Sequence, residues 1–564
     1  MTHRAPRSLL RTRLAFLSVL ALAACGGSDG GSSTDPLTPT PPPPPPAPVA
    51  APMQVSGTVA TASALAGAAV AVTCAQGSGT TTADASGAFV QKLDAALLPC
   101  VVTATSADGM TVLHSIAAGT SAADTTLQVT PLTELLLAQF AGAAPRLYVA
   151  SFGATTAVDA ASLQQAQTTL LQSLTHANVD VSGVTDVVSG PLQAGSGSGY
   201  DAALQHLSAA LGDSATSLGQ LTTAVATSAG LGSNTSQSTL ATQLAVANAD
   251  CPSFKSGLHR SIDFGSHSDS VVTVDARALT VVIAGVTRHL TPIDTCLYQL
   301  DDPDATQIAI ARSGMGVWRQ GGSGVDPDVG MTIPEQTLDL PALAGTYNRV
   351  NWAGTALDTG DFGTATFDAG GRNTASQQCA GGYGTCAAVA DLHAHLQADA
   401  TGGFDYFDET DSQPTVDARV FAFRDGNGHT WTLANTDQVT VLLAPQVALA
   451  LPTVGASSAY WEVDVTPVGV SPFAADANTA LAVDATTGTE TRQFASDGHT
   501  DTLTFNDPAP GLRHRVANAC LTAGGAARSC NALVQLPMAG SGITASVSAD
   551  PARHVIYLAV GKPS

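Results

Sequence analysis

The chain has 564 residues, a formal net charge of −23 and 12% charged residues, half of the roughly 25% usual for soluble domains. Only three lysines occur, Lys92, Lys255 and Lys562, so no cationic cluster exists to displace counterions from phosphate. Nucleic-acid binding and electrostatic attachment to anionic headgroups are therefore excluded.

In chain order, the first element predicted is a signal peptide over residues 1–24. Arg4, Arg7, Arg11 and Arg13 form its basic start, and Leu14 to Leu22 its apolar stretch. That stretch is far short of the roughly 20 residues that span a bilayer. Leu22-Ala23-Ala24-Cys25 resembles the lipobox of bacterial lipoproteins. The resemblance implies that Cys25 is diacylated and becomes the mature N-terminus, and Gly26 at the next position implies sorting to the outer membrane. Residues 25–52 then form a tether. Gly26 to Thr34 is Gly/Ser-rich, and Pro36 to Pro52 contains an unbroken proline run from Pro41 to Pro46. In polyproline II geometry that segment reaches roughly 50 Å, so it reads as a stalk.

Without the four leader arginines, 18 basic residues face 45 acidic ones. Nine cysteines occur, and lipidation of Cys25 accounts for the odd one. The other eight fall in order as Cys74 with Cys100, Cys251 with Cys296, Cys379 with Cys386, and Cys520 with Cys530. Sequential pairing is the simplest of the connectivities that eight cysteines allow, and an oxidising exported location makes disulfides the default. No Cys-x-x-Cys is present and the spacings do not match zinc motifs. The loop from Cys74 to Cys100 contributes on the order of 3 kcal/mol in the chain-entropy model.

Residues 53–130 read as a small all-β module, with the two-residue alternation of strands and Gly/Asp-rich turns. Gly57-Thr58-Val59, Gly67-Ala68-Ala69-Val70-Ala71-Val72 and Asp84-Ala85-Ser86-Gly87-Ala88-Phe89 resemble the signature of the carboxypeptidase regulatory-like (transthyretin-like) domain. The resemblance covers some 80 residues, roughly one seventh of the chain. It implies an Ig-like β-sandwich that acts as a spacer or adhesion module without catalytic residues.

Residues 131–250 switch to helix. Thr130 is placed to cap a helix with Pro131 at its first position. Leu132, Leu135, Leu136 and Phe140 share one face, and the spacing recurs at Leu163, Ala166, Leu170 and Leu174. It recurs again at Leu204, Leu207 and Leu211 and at Leu218, Leu221 and Val225. These stripes read as the buried face of a small bundle or as a partner-binding face.

Residues 251–340 form a β region, and residues 341–564 a second, antiparallel barrel-like or sandwich domain. Tight turns follow an aromatic at Phe367-Asp368-Ala369-Gly370-Gly371, at Phe423 to Thr430 and at Phe494 to Thr500, as in hairpins. Leu343-Ala344-Gly345-Thr346-Tyr347-Asn348 resembles the opening strand of lipocalin-type barrels, with Tyr347 where those carry Trp. Many strands without long helices favour a closed barrel or sandwich, because closure removes exposed edges. The fold class expected is thus multidomain and mainly β, with a central helical segment. The layout resembles that of uncharacterised lipoproteins of Gram-negative bacteria.

Four polar features compete as chemistry. Gly26-Gly27-Ser28-Asp29-Gly30 matches the nucleophile elbow, which needs a strand-to-helix turn that the tether does not offer. Asp391, His393 and His395 alternate, so on a strand they share a face suited to zinc or copper. The alternative is a solvated strand face with Leu392, Ala394 and Leu396 inward. Asp425-Gly426-Asn427-Gly428 reads as a hairpin turn, lacking the carboxylate series of a calcium loop. Glu462 beside Trp461 is the glutamate with the most suggestive neighbour, yet Trp461, Val463 and Val465 alternate with Glu462 and Asp464 as in an ordinary strand.

The function expected is a non-catalytic envelope lipoprotein whose C-terminal β region binds a ligand or protein, with no cofactor. The rivals are a metal-dependent hydrolase centred on Asp391, His393 and His395, and a purely structural envelope protein. All four tryptophans (Trp318, Trp352, Trp431, Trp461) lie after residue 300. Aromatics supply contact area and a polar edge, which points the ligand site to residues 251–564.

Overall fold

The computed structural model describes residues 52–563, except 322–328, 353–361, 380–385, 391, 409–414, 437–438, 467–468 and 550–554. The leader, Cys25, the tether and the Gly26–Gly30 motif lie outside the described residues. The architecture is multidomain and mainly β, with six helices in the middle of the chain. No described helix is long and apolar enough to cross a membrane.

The N-terminal module is a three-stranded and a four-stranded sheet around one core that includes Val55, Phe89, Val70 and Val102. Gly57 sits where the chain is tightest: a Cβ there would lie 1.9 Å from the carbonyl oxygen of Leu127. The helices follow, beginning with Pro131–Ala141. Its cap is Thr130, whose Oγ1 accepts the Thr133 N–H while the Thr133 hydroxyl receives the Thr130 N–H. The leucine stripes pack inward as one bundle core. Bundle and sandwich are joined by Glu134, whose carboxylate accepts the backbone N–H of His114 at 2.7 Å and contacts its ring at 2.8 Å.

Three antiparallel units follow, of eight, nine and eleven described strands. The first is a closed barrel running from Gly257–Asp263 to Val329–Pro334, the last strand pairing with the first. The second runs from Gly345–Trp352 to Thr440–Pro445, which pair with each other. Its seam between Asn373–Cys379 and Ala394–Ala398 is reduced to the bridge Arg372↔His395, and Cys386–Ala388 adds a ninth strand there. The third starts at Ser457–Thr466 and ends at Ile556–Gly561, again paired with each other, with Tyr460 opposite Gly561. Pairing of Thr489–Phe494 with Thr500–Phe505 completes its ring. The region read from sequence as 341–564 holds two of these sheets.

The outer apolar faces of all three units share a single core. Ile262, Met331 and Ile333 come from the first, Trp352, Phe421 and Trp431 from the second, and Val463, Val534 and Leu558 from the third. Arg260 reinforces the first junction by lying 4.5 Å over Phe421 while pairing with Asp269 and Glu335. Four disulfides are present: Cys74–Cys100, Cys251–Cys296, Cys379–Cys386 and Cys520–Cys530. The Asp368, Asp425 and Asp497 segments are hairpin turns; Asp425 Oδ1, for example, accepts the backbone N–H of Asn427 and of His429.

Candidate polar lumen of the C-terminal barrel

Successive strand residues point to opposite faces. In Ser457–Thr466, Trp461, Val463 and Val465 enter the shared core, which leaves Tyr460 and Glu462 facing the inside of the barrel. A cavity of about 880 Å³ opens there, within the range typical of ligand sites. Its wall is unusual for a β-barrel core, because charged groups dominate it: Glu462, Glu490, Arg492, Arg513 and Arg515 all line it.

The pairing register explains the cluster. Arg492 lies opposite Asp501 across one hairpin, and Arg513 opposite Gln535 across another pair. Arg492 grips Asp501 with Nε at 2.8 Å and Nη2 at 3.1 Å, while Arg515 Nη1 reaches the same carboxylate at 2.9 Å. The Asp501 side chain is fully buried. Burial opposes its charge, yet Arg492 and Arg515 hold the carboxyl down at about 2. Glu462 and Glu490 are also drawn down by the arginines, but burial outweighs that attraction. Burial, and then the neighbouring Asp464, push Glu462 up to about 7; burial also raises Asp464 and Glu490.

Arg513 differs from the other two arginines. It lies over the Phe505 ring, 5.5 Å from the centroid, and its buried Nε has no hydrogen-bond partner among the described residues. Burial, and then the like charge of Arg492, lower its guanidinium to about 10. Gln535, opposite it, donates Nε2 to Ser546 Oγ at 3.0 Å while its buried Oε1 is also left without a partner. Asp501 is ionised and Asp476 also lines the wall, while Glu462 and Glu490 are raised towards their neutral forms, so the guanidiniums of Arg492, Arg513 and Arg515 bias the lumen towards holding an anion. The rim carries a second charged group, where His499 and Arg528 both pair with Asp497 and His499 stacks on Phe494 at 4.1 Å.

The residues singled out from sequence fall elsewhere or play other parts. Glu462 faces the lumen, but Trp461 faces away from it. Trp352, Trp431 and Trp461 fill the shared core, and Trp318 lines the lumen of the first barrel. His395 lies on the strand Ala394–Ala398 against the Phe407 ring, at 4.0 Å between centroids, and His393 precedes that strand and is exposed. Asp391 lies outside the described residues, and the described residues contain no cluster of three or more metal-ligating side chains. Arg492, Arg513 and Arg515 went unnoticed. The signal available was their proximity in a chain of only 22 basic residues, with Arg513 and Arg515 on one strand face.

No family model and no curated protein matches the chain. Among solved structures, 52% of this chain overlaps 65% of a transferrin binding protein B from Haemophilus parasuis, described as a vaccine antigen, at 8% identity and a TM-score of 0.12. The overlap spans less than two thirds of that protein, and at this TM-score it carries no argument about fold or activity.

Proposed function

We propose that this chain is a non-catalytic, lipid-anchored envelope protein whose C-terminal barrel binds a small anionic ligand, carboxylate or phosphate in character. The observation that carries the reading is Arg513: a half-buried guanidinium on the wall of an 880 Å³ lumen, whose buried Nε has no hydrogen-bond partner among the described residues. A buried donor left without an acceptor is costly, and guanidinium matches planar carboxylate and phosphate geometry. Calorimetric titration of the whole chain with inorganic phosphate and with succinate at low salt tests it. Saturable binding of at least one anion is expected, weakened on the order of tenfold or more in Arg513→Gln, the usual scale for a lost charged hydrogen bond. Absence of binding by both anions would overturn the reading.

The anchor rests on the leader and on Leu22-Ala23-Ala24-Cys25. Cys25→Ser is expected to move the protein from the membrane fraction to the soluble fraction and to abolish incorporation of labelled fatty acid. Labelling that persists in the variant would sink the assignment.

A further inference from the structure

We infer that the lumen of the first barrel is a second, independent binding site, built for a neutral amphiphile: an apolar body with a hydrogen-bond acceptor. On several strands of this barrel the apolar residues turn inward, unlike those of Ser457–Thr466 in the C-terminal one. Val272, Val274, Val281, Leu290, Leu300 and Ile308 line a cavity of about 490 Å³, while Arg260 and Arg319 are on the outer face, next to core residues Ile262 and Val317. Phe254 closes one end, tilted against Tyr298 at 5.3 Å.

Polar side chains such as Ser261, Ser270 and Thr306 also line the cavity, and two polar atoms of this wall stand out. Trp318 Nε1 and Thr332 Oγ1 are buried and without a hydrogen-bond partner among the described residues; the residues are 9% and 5% exposed, and both line the cavity. Buried donors are rarely left unmatched in native folds, and two on neighbouring strands of one wall mark where an acceptor fits. Their cross-strand partners are glycines: Gly330 opposite Trp318 and Gly316 opposite Thr332. A Cβ at Gly330 would lie 2.4 Å from the indole, and one at Gly316 would lie 2.7 Å from the Thr332 methyl. The absence of these side chains lets the Trp318 ring lie along the wall and leaves the cavity beside it open.

The surroundings select against charge. Asp263, Asp302 and Asp304 line the cavity at the ends of strands and in the turn that form its mouth, and they repel anions. Arg288, the cation of this wall, gives Nη1 to the Asp301 carbonyl at 3.3 Å. Deeper in, His259 is kept neutral by burial, pushed down to about 4, so no fixed positive charge waits inside. At the mouth, Ile283 and Val286 are 37% and 50% exposed, an apolar lip over which such a molecule can enter.

The test uses 6-propionyl-2-(dimethylamino)naphthalene, a neutral aromatic ketone whose emission reports polarity, titrated into the whole chain. Saturable binding at one site is expected, unaffected by excess inorganic phosphate. Trp318→Phe keeps the ring and removes the donor, and is expected to weaken binding about tenfold, the scale of one buried hydrogen bond. Val281→Trp fills the lumen and is expected to abolish binding, with hydrogen exchange across Gly257–Asp263 showing that the barrel remains folded. If that barrel unfolds, Trp318→Phe alone decides. Absence of saturable binding, displacement by phosphate, or an affinity unmoved by Trp318→Phe would each overturn the inference.

Discussion

Asp501→Asn is expected to destabilise the C-terminal barrel by about 3–5 kcal/mol, the range for breaking a buried ion pair by removing one partner. The substitution keeps size and most shape, so the effect is electrostatic. Asp501 is fully buried and accepts three hydrogen bonds from Arg492 and Arg515. Without its charge, three guanidiniums share one lumen with acids that burial has pushed towards their neutral forms. Because several units share one core, a global unfolding curve would blur the result. Backbone hydrogen exchange over 489–515, compared with 257–263 in the first barrel, localises it. Protection over 489–515 that stays at the wild-type level would rule out the ion cluster as the element holding this barrel together.

The second large effect is a pH dependence set by Glu462. Its carboxyl is raised from the usual 4.5 to about 7 by burial, and then by Asp464. Asp464 and Tyr460 flank it on its own strand. Asp476 on the next strand adds negative charge, and Arg492 and Arg515 on further strands partly offset it. Below pH 4.5 the folded and unfolded states both carry the proton. As pH rises from 4.5 to about 7 the unfolded state releases it first, so stability falls across that window and stays lower above it. A shift of this size is worth up to about 3 kcal/mol. Glu462→Gln is expected to reduce the slope, leaving the contributions of the likewise raised Asp464 and Glu490, and to stabilise the barrel at pH 8. Asp501 contributes its own stability above its usual range and loses it only in stronger acid, below this window. His259 titrates with the opposite sign, but in the first barrel. Exchange measured on Ser457–Thr466, corrected for intrinsic rates, is therefore the appropriate readout. Equal slopes for wild type and Glu462→Gln between pH 4.5 and 8 would remove Glu462 as the cause.

Local signals carried much of the architecture. Thr130 followed by Pro131 marks a helix start because a capping hydroxyl and a residue without an N–H both suit that position, and the helix begins there. Asp-Gly turns after aromatics mark hairpins because only a few residues accept those backbone angles, and the strands do turn at Asp368, Asp425 and Asp497. Alternation at Trp461, Glu462, Val463, Asp464 and Val465 identifies a strand with two unlike faces. It does not say which face is inside. In Ser457–Thr466 the apolar face turns outward into a core shared with two other barrels, and the polar face turns into the lumen. On Asp269–Asp275 of the first barrel, where Val272 and Val274 face the lumen, the assignment is reversed. That choice depends on what packs against the outside of each barrel, and no window of local sequence contains it. Closure is equally remote from the local pattern, since Tyr460 meets Gly561 across the length of the domain. Closure turns Arg513 from an ordinary strand arginine into a half-buried cation facing a cavity, and it leaves Trp318 Nε1 and Thr332 Oγ1 without hydrogen-bond partners among the described residues on the wall of another. The sequence by itself determined the elements, their order and the alternation of their faces, because those follow from local backbone preference and side-chain period. The tertiary structure alone decided where each face points and which polar groups are left facing a cavity, because both depend on contacts between residues far apart in the chain.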